Sequence, residues 1–286
     1  MTPILDGVDL VVPAGLDDAL RLLADDGAAR PFAGGTDLMV LLEAGHLPAG
    51  RYVSLWAIEE LRGIAIDGTG ATAIGALTTF TEIRRSAPLA AAYPMLGMAA
   101  SETGGVATQN RGTIGGNIAN ASPAADTPPA LLAYDAELEL RSARGTRRLA
   151  YADFHTGYKQ MRLEPGEIVA RVLLPVRSAG WQDEYQKIGT RRAQAIAKIC
   201  LAASARVDRG VVADIRLALG SVAATVVRCR GAEDAVRGRR MDDDVIATAL
   251  DALLADIAPI DDLRSTAAYR RRVAQNLTAG FLRRQK

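Results

Sequence analysis

The chain has 286 residues, 49% of them hydrophobic and 23% charged, with a formal net charge of +1 at pH 7. It is long and apolar enough for two cored units, and its balanced charge excludes the electrostatic footprint of a nucleic-acid or membrane-surface binder. No apolar run approaches bilayer-spanning length, and the N-terminal MTPILDGVDL lacks the basic start and apolar core of an export signal, so a cytoplasmic location is expected.

Residues 4–12 alternate as a strand, and 17–26 (DDALRLLADD) read as an amphipathic helix with Leu16, Leu20 and Leu23 on one face. Pro31, Phe32 and Ala33 read as a strand end, Gly34-Gly35 as a tight turn, and Thr36 or Asp37 as the N-cap of a helix over 38–44. Gly45 stops that helix and 52–55 returns as a strand, which completes a βαβαβ-like unit. Gly68-Thr69-Gly70-Ala71-Thr72-Ala73 satisfies the loose dinucleotide pattern GxGxxA, but the sequence after it is strand-like where that pattern needs a helix. Asp67-Gly68 is therefore read as a hairpin turn between strands near 62–66 and 71–76.

Helices are expected over 79–85, capped by Thr79 or Thr81, and over 94–103, with Pro94 at a permitted first-turn position. The second leads into 109–132, QNRGTIGGNIANASPAADTPPALL, on which the reading turns. Gly112, Gly115 and Gly116 stand there among Thr113, Asn117, Asn120 and Ser122, and the stretch reads as a loop outside the core until Pro128 and Pro129 open a short helix. Glycine admits positive φ and lets a ligand reach main-chain N–H groups, while Thr and Asn add donors without charge; such a run suits a diphosphate. The Gly34-Gly35 turn ahead of a helix offers the same donors. A helical turn over 130–134, strands over 137–141 and 148–151, and a buried strand over 167–174 ending at Pro175 follow.

Composition turns small and polar over 176–180, where a domain boundary is expected. This gives a first domain of 1–177, with lobes of about 1–58 and 59–177, and a C-terminal domain of 178–286. The latter reads as an antiparallel meander (183–188, 196–207, 212–219, 223–228) backed by helices over 232–237, 243–257 and 265–284. Arg270–Arg272 and Arg283-Arg284 read as the solvated face of the last helix, opposite Tyr269, Val273, Leu277 and Phe281.

Catalytic equipment is sparse. Cys200 and Cys229 lie in apolar, strand-like surroundings and read as buried thiols, too few for an iron–sulfur cluster, which takes about four thiolates. His46 and His155 have no nucleophile at triad spacing, and Glu59-Glu60 and Asp242–Asp244 sit at helix starts, where the helix dipole accounts for them. No catalytic residue and no metal ligand is assigned. A self-contained hydrolase or transferase lacks its nucleophile and base, and the chemistry falls to a bound cofactor.

The pair FAGGTDLM (32–39) and TIGGNIANASPAAD (113–126) resembles the FAD-binding, or medium, subunit of molybdenum hydroxylases such as xanthine dehydrogenase and carbon monoxide dehydrogenase. The segments after residue 180 are similar to that subunit's C-terminal domain. The resemblance implies an α+β fold: a two-lobed FAD-binding domain of the vanillyl-alcohol oxidase (PCMH) type, then a small C-terminal domain with an antiparallel sheet and helices. It implies FAD held by Phe32, Ala33, Gly34, Gly35, Thr36, Asp37, Leu38 and Met39 in one loop and Thr113, Ile114, Gly115, Gly116 and Asn117 in the other, and since neither loop has a His or Cys to form a flavin linkage, non-covalent binding is expected. It also puts Asp126 close to the cofactor, Thr103 where some relatives carry an aromatic, Val169 at an apolar position touching the flavin, and Lys187 near the cofactor or acceptor end. For Lys187 a surface lysine is the alternative. Gln194 and Ala195 stand where the family's RxxxDIA-like segment has an acidic pair.

The implied function is that of an electron-transfer oxidoreductase subunit. A large partner subunit would oxidise substrate at a molybdopterin centre, a small one would carry two-iron two-sulfur clusters, and electrons would leave through this chain to NAD, a quinone or another acceptor. The expected assembly is a dimer of heterotrimers, with no nucleic-acid partner. The alternative is a stand-alone flavin-dependent oxidase or reductase of the same FAD-binding superfamily, which needs a substrate domain with an acid or base at the flavin; the sequence offers none.

Overall fold

The computed structural model describes residues 7–191 and 194–285. Residues 4–6 of the first expected strand lie outside them. The first lobe runs β1 (Val8–Val11), α1 (Leu16–Asp25), β2 (Arg30–Phe32), α2 (Leu38–Glu43) and β3 (Gly50–Ser54). Its strands are parallel in the order β1-β3-β2, as alternating strands and helices require. Helix α1 buries the stripe Leu16, Ala19, Leu20 and Leu23 and keeps Asp17 and Asp18 in its first turn, where they favour the dipole. That stripe shares a core with Val53, Leu55 and Leu61, and with Leu77, Ile168 and Ala170 from the second lobe, so the lobes are fused by packing.

The second lobe comprises β4 (Ile64–Ile66), β5 (Thr72–Gly75), six short helices α3 (Phe80–Arg85), α4 (Ala87–Ala92), α5 (Pro94–Glu102), α6 (Val106–Arg111), α7 (Ile114–Ala119) and α8 (Pro128–Ala133), then β6 (Glu137–Ser142), β7 (Gly145–Ala150), β8 (His155–Gly157), β9 (Gln160–Met161) and β10 (Ile168–Leu174). Its five-stranded antiparallel sheet has the order β4-β5-β10-β6-β7, with the last strand central. A bulge between Val169 and Arg171 resets the alternation of β10. Ile168 and Ala170 thereby face the first lobe, while Val169, Val172 and Leu174 join the main core.

The β4–β5 turn is the expected hairpin: the Asp67 carboxylate accepts from the N–H groups of Thr69 and Ala71 at 2.8 and 3.1 Å, and a strand follows. Thr79 caps α3 in a reciprocal box with Glu82, whereas Thr81 bonds Asn110. Helix α4 and the β8–β9 hairpin carry no periodic signal in the sequence. Residues 112–127 correct the expectation of a loop outside the core, because they hold α7, and Ile114 and Ile118 are fully buried, while α8 is the short helix expected from Pro128. Helix α7 is six residues long with two glycines, so its stability comes from neighbours. A Cβ on Gly115 would sit 2.6 Å from that of Ala76.

The C-terminal unit is a meander, β11 (Trp181–Ile188), β12 (Ile199–Asp208), β13 (Val211–Gly220) and β14 (Val227–Arg228), followed by α9 (Arg230–Val236), α10 (Asp243–Asp256) and α11 (Ala267–Arg283). Both sheet faces are covered. Ile199, Leu201, Ala203 and Ala205 pack with the three helices, while Cys200 and Ala202 pack with the helices of the second lobe. Both cysteines are free and buried, and burial pushes the Cys200 thiol up to about 12. Arg270 departs from the expected solvated face: it is 5% exposed and donates to Asp262 at 2.8 Å and to the Ile260 carbonyl at 3.3 Å. The segment before α11 folds back over that arginine, and Tyr269, expected to face inward, is 41% exposed.

Arg177 and Asp183 clamp the C-terminal unit to the second lobe. The guanidinium meets the carboxylate at 2.7 Å on both arms, donates to the Ala92 carbonyl and lies 4.6 Å from the centre of the Tyr134 ring. The Ser204 and Tyr134 hydroxyls also donate to Asp183, whose side chain is 5% exposed. Asp183→Ala leaves these donors without an acceptor, and we expect a loss of about 2–4 kcal/mol in urea unfolding. An unchanged midpoint would mean that water already satisfies the cluster.

Candidate functional site

The first glycine turn joins β2 to α2. Gly35 has φ +77°, and a side chain there would lie 2.8 Å from the ring of Phe32, so glycine is needed both for the conformation and for the space. The Gly35 carbonyl accepts from Met39 N–H at 2.9 Å, but the N–H groups of Gly34, Gly35, Thr36, Asp37 and Leu38 find no acceptor among the described residues. Asp37 stands at the N-cap position, yet its side chain does not cap; it accepts from Asn120 Nδ2 at 3.2 Å. A run of free N–H groups about a left-handed residue forms a concave donor surface for an anion.

The second glycine run is built differently from the expectation. Ile114 N–H donates to Thr78, Gly115 N–H to Ala76, Asn117 N–H to the Thr113 carbonyl, and Gly116 N–H to Thr113 Oγ1, at distances of 2.8 to 3.1 Å. These groups are spent inside the fold. The run forms the wall behind the first loop, and what it offers outward is side chains. The two runs touch at Gly34, where a Cβ would fall 1.8 Å from the Arg111 carbonyl oxygen. Asn120 ties the wall to Asp37, and Lys159 Nζ donates to Asn120 Oδ1.

Thr103, Asp126 and Lys187 form a second cluster. The Lys187 side chain is 4% exposed, which removes the surface alternative, and its ammonium donates to Asp126 Oδ2 at 2.8 Å and to the Glu102 carbonyl at 2.7 Å. Burial raises the pKa of Asp126 to about 6; Lys187 opposes that rise and Glu102 adds to it. The other carboxylate oxygen, Oδ1, is buried with no hydrogen-bond partner. Thr103 is buried beside them, its hydroxyl donating to the Ala99 carbonyl at 2.9 Å. The clusters are linked, because Thr127, next to Asp126, donates to Asn117 Oδ1 at 2.6 Å.

Val169 is 6% exposed and sits in the core, paired with Leu140 across the sheet. Gln194 closes against the other domain, its amide 2.5 Å from where a Cβ on Gly105 would be; Arg192 and Ala193 of the same segment lie outside the described residues. His155 is structural: its ring packs on Tyr151 and Phe154, Nε2 lies 2.9 Å from the Ile118 carbonyl, and burial lowers its pKa. Asn120 and Lys159 are outside the set inferred from the motifs, and only the Asn-rich character of 117–120 hinted at the first. A cleft of about 460 Å³ lies elsewhere, against Asp67, Glu139, Arg148 and Arg171, with Arg171 and Glu139 paired at 3.3 Å in its wall.

Five N–H groups without acceptors and one buried carboxylate oxygen without a donor are the complements of a diphosphate and a hydroxyl or ring N–H. The residues present therefore fit a dinucleotide cofactor, and none of the described residues forms a cluster able to hold a metal. Together with the two-lobed α+β fold, this is the make-up of a nucleotide-cofactor-binding protein. Residues 6–177 match the family model for the FAD binding domain in molybdopterin dehydrogenase, and 184–285 match the CO dehydrogenase flavoprotein C-terminal domain. The chain belongs to this family of flavoprotein subunits of molybdenum-containing oxidoreductases. It is 34% identical to the xanthine dehydrogenase FAD-binding subunit of Escherichia coli O157:H7, over 93% of this chain and 91% of that one. It is 32% identical to the glyceraldehyde dehydrogenase medium chain of Sulfolobus acidocaldarius, over 92% of each. Carbon monoxide dehydrogenase of Hydrogenophaga pseudoflava superposes with a TM-score of 0.91 at 30% identity, covering 96% of this chain and 95% of that one.

Proposed function

We propose that this chain is the electron-transfer subunit of a heteromeric molybdenum hydroxylase. The first domain, 1–177, holds FAD, and the C-terminal domain, 178–286, closes the site through Lys187. The N–H groups of Gly34–Leu38 bind the diphosphate, Asn117 and Asn120 line the wall, and Thr103, Asp126 and Lys187 stand at the other end. Bound FAD supplies the redox chemistry, and the protein supplies position and charge. Electrons arrive from two-iron two-sulfur clusters on a small partner subunit, fed by a molybdopterin centre on a large one, and leave to NAD, a quinone or another acceptor. The complex is a dimer of heterotrimers in the cytoplasm. Among the described residues no helix is long and apolar enough to cross a membrane.

One observation carries this reading: the free N–H run and the orphaned Asp126 oxygen lie in a chain that spans nearly the whole of relatives that are themselves named as subunits. Those relatives serve enzymes for xanthine and for glyceraldehyde, so the choice of substrate is made in another subunit. The isolated, FAD-loaded chain is expected to be reduced by dithionite and reoxidised by an artificial acceptor, with no turnover of purines, aldehydes, N-heterocycles or carbon monoxide. Adding the two partner subunits should restore substrate-dependent flavin reduction. Oxidation of any of these substrates by the chain alone, with molybdenum excluded by elemental analysis, would replace the relay with a stand-alone oxidase.

A further inference from the structure

Neither glycine run carries a lysine or arginine between Phe32 and Met39 or between Thr113 and Asn117, and the charged group in the first loop, Asp37, is an acid. A diphosphate laid on the N–H groups of 34–38 would face that carboxylate, so a cation from outside both loops would strengthen the site. Arg30, just ahead of the first loop, is engaged with the Ala49 carbonyl and the Tyr52 ring. Arg111, at the contact between the loops, has its guanidinium 3.7 Å from the centre of the Trp56 ring.

The β8–β9 hairpin brings a third cation. Gly157 pairs with Gln160, which leaves Tyr158 and Lys159 as a two-residue tip. Lys159 has φ +56°, a left-handed conformation that Gly or Asn adopts more readily at the second position of a tight turn. A long cationic side chain is thus held where turn chemistry alone would select against it. Among the described residues its ammonium donates to Asn120 Oδ1, an uncharged acceptor, while the other end of that amide donates to Asp37. The asparagine is a spacer between the ammonium and the carboxylate of Asp37, the residue at the N-cap of α2 within the free N–H run.

We propose that Lys159 is a cofactor-binding residue that neutralises the FAD diphosphate from the hairpin tip. The inference rests on the reading that the first loop binds that diphosphate. The test uses the full chain, stripped of flavin, with FAD dissociation constants measured by flavin fluorescence at low and high salt. Lys159→Asn keeps a residue tolerant of the left-handed turn and removes the charge. It is expected to weaken FAD binding about 10- to 50-fold at low salt and to flatten the salt dependence, with the thermal midpoint of the flavin-free chain unchanged or raised. Lys159→Arg should restore affinity to within about 3-fold, because the charge returns. Wild-type affinity and salt slope in Lys159→Asn would overturn this inference and leave the FAD reading standing. So would a loss of affinity accompanied by a lowered midpoint and an unchanged salt slope, which marks a structural residue, or a loss seen in Arg111→Gln in place of Lys159→Asn. A wild-type chain that binds no FAD would overturn both.

Discussion

Replacing Gly34 with alanine is expected to weaken FAD binding at least about 100-fold, equivalent to about 3 kcal/mol, while the rest of the chain stays folded. The new Cβ would lie 1.8 Å from the Arg111 carbonyl oxygen, 2.7 Å from its carbon and 3.3 Å from Gly112 nitrogen. All three are backbone atoms, so no rotamer change relieves the clash; the loops must part. Parting them moves the free N–H run away from Asn120 and from the wall that fixes its direction. The stability cost is smaller than the binding cost because Gly34 is partly exposed at the rim and belongs to none of the apolar clusters. Gly116→Ala is the control: its Cβ would meet only Thr113 Oγ1, at 3.0 Å, and its N–H is already spent on that hydroxyl. The flavin-to-protein ratio after purification and an FAD titration read the difference, with circular dichroism to follow folding. Stoichiometric FAD in Gly34→Ala would place the diphosphate elsewhere.

The contrast between Gly34 and Gly116 shows where the sequence was readable. A Gly-Gly pair between a β-type run and a helix start has few structural uses, and the first loop has the form its residues imply. In 112–117 the same glycines serve close packing: Gly112 against Phe80 and Gly115 against Ala76. Sequence alone does not separate a glycine that leaves N–H groups free in a turn from one that admits a neighbouring segment. The stripe of α1, the Asp67 turn and the β11–β13 meander follow from local periodicity and turn chemistry, which is why they were legible. Arg270 was misread because helical periodicity ignores a segment that folds back over the helix. The hairpin that carries Lys159 is silent in the sequence because strands of three and two residues carry no pattern. Lys187 was reached only through the family resemblance, and its burial depends on a partner 61 positions away.

Lys187→Met is expected to destabilise the flavin-free chain by about 2–4 kcal/mol at pH 8, since it removes the ammonium facing a buried carboxylate. The penalty should shrink with acid. Burial already outweighs Lys187 at Asp126, whose pKa is raised to about 6 from 3.8, so ionising Asp126 opposes folding. A carboxyl whose folded-state pKa lies above its unfolded value contributes its stability below the unfolded pKa and loses it as pH rises through the folded one. For the wild type that window runs from about pH 4 to about pH 6. Without Lys187 the opposing attraction is gone and the Glu102 charge remains, so the folded pKa rises further and the loss continues to higher pH. Near pH 4 the carboxyl is neutral in both proteins, and the variant should lack only the bond from Nζ to the Glu102 carbonyl, about 1 kcal/mol. Urea unfolding across pH 4–8 should therefore show two curves that start close and diverge upward in pH. The double variant Lys187→Met, Asp126→Asn removes both charges and should recover most of the loss at pH 8. Curves already well apart at pH 4, with wild-type stability flat in place of falling up to pH 6, would mean that the pair is an ordinary ionised salt bridge, with Asp126 held below its usual range by the lysine.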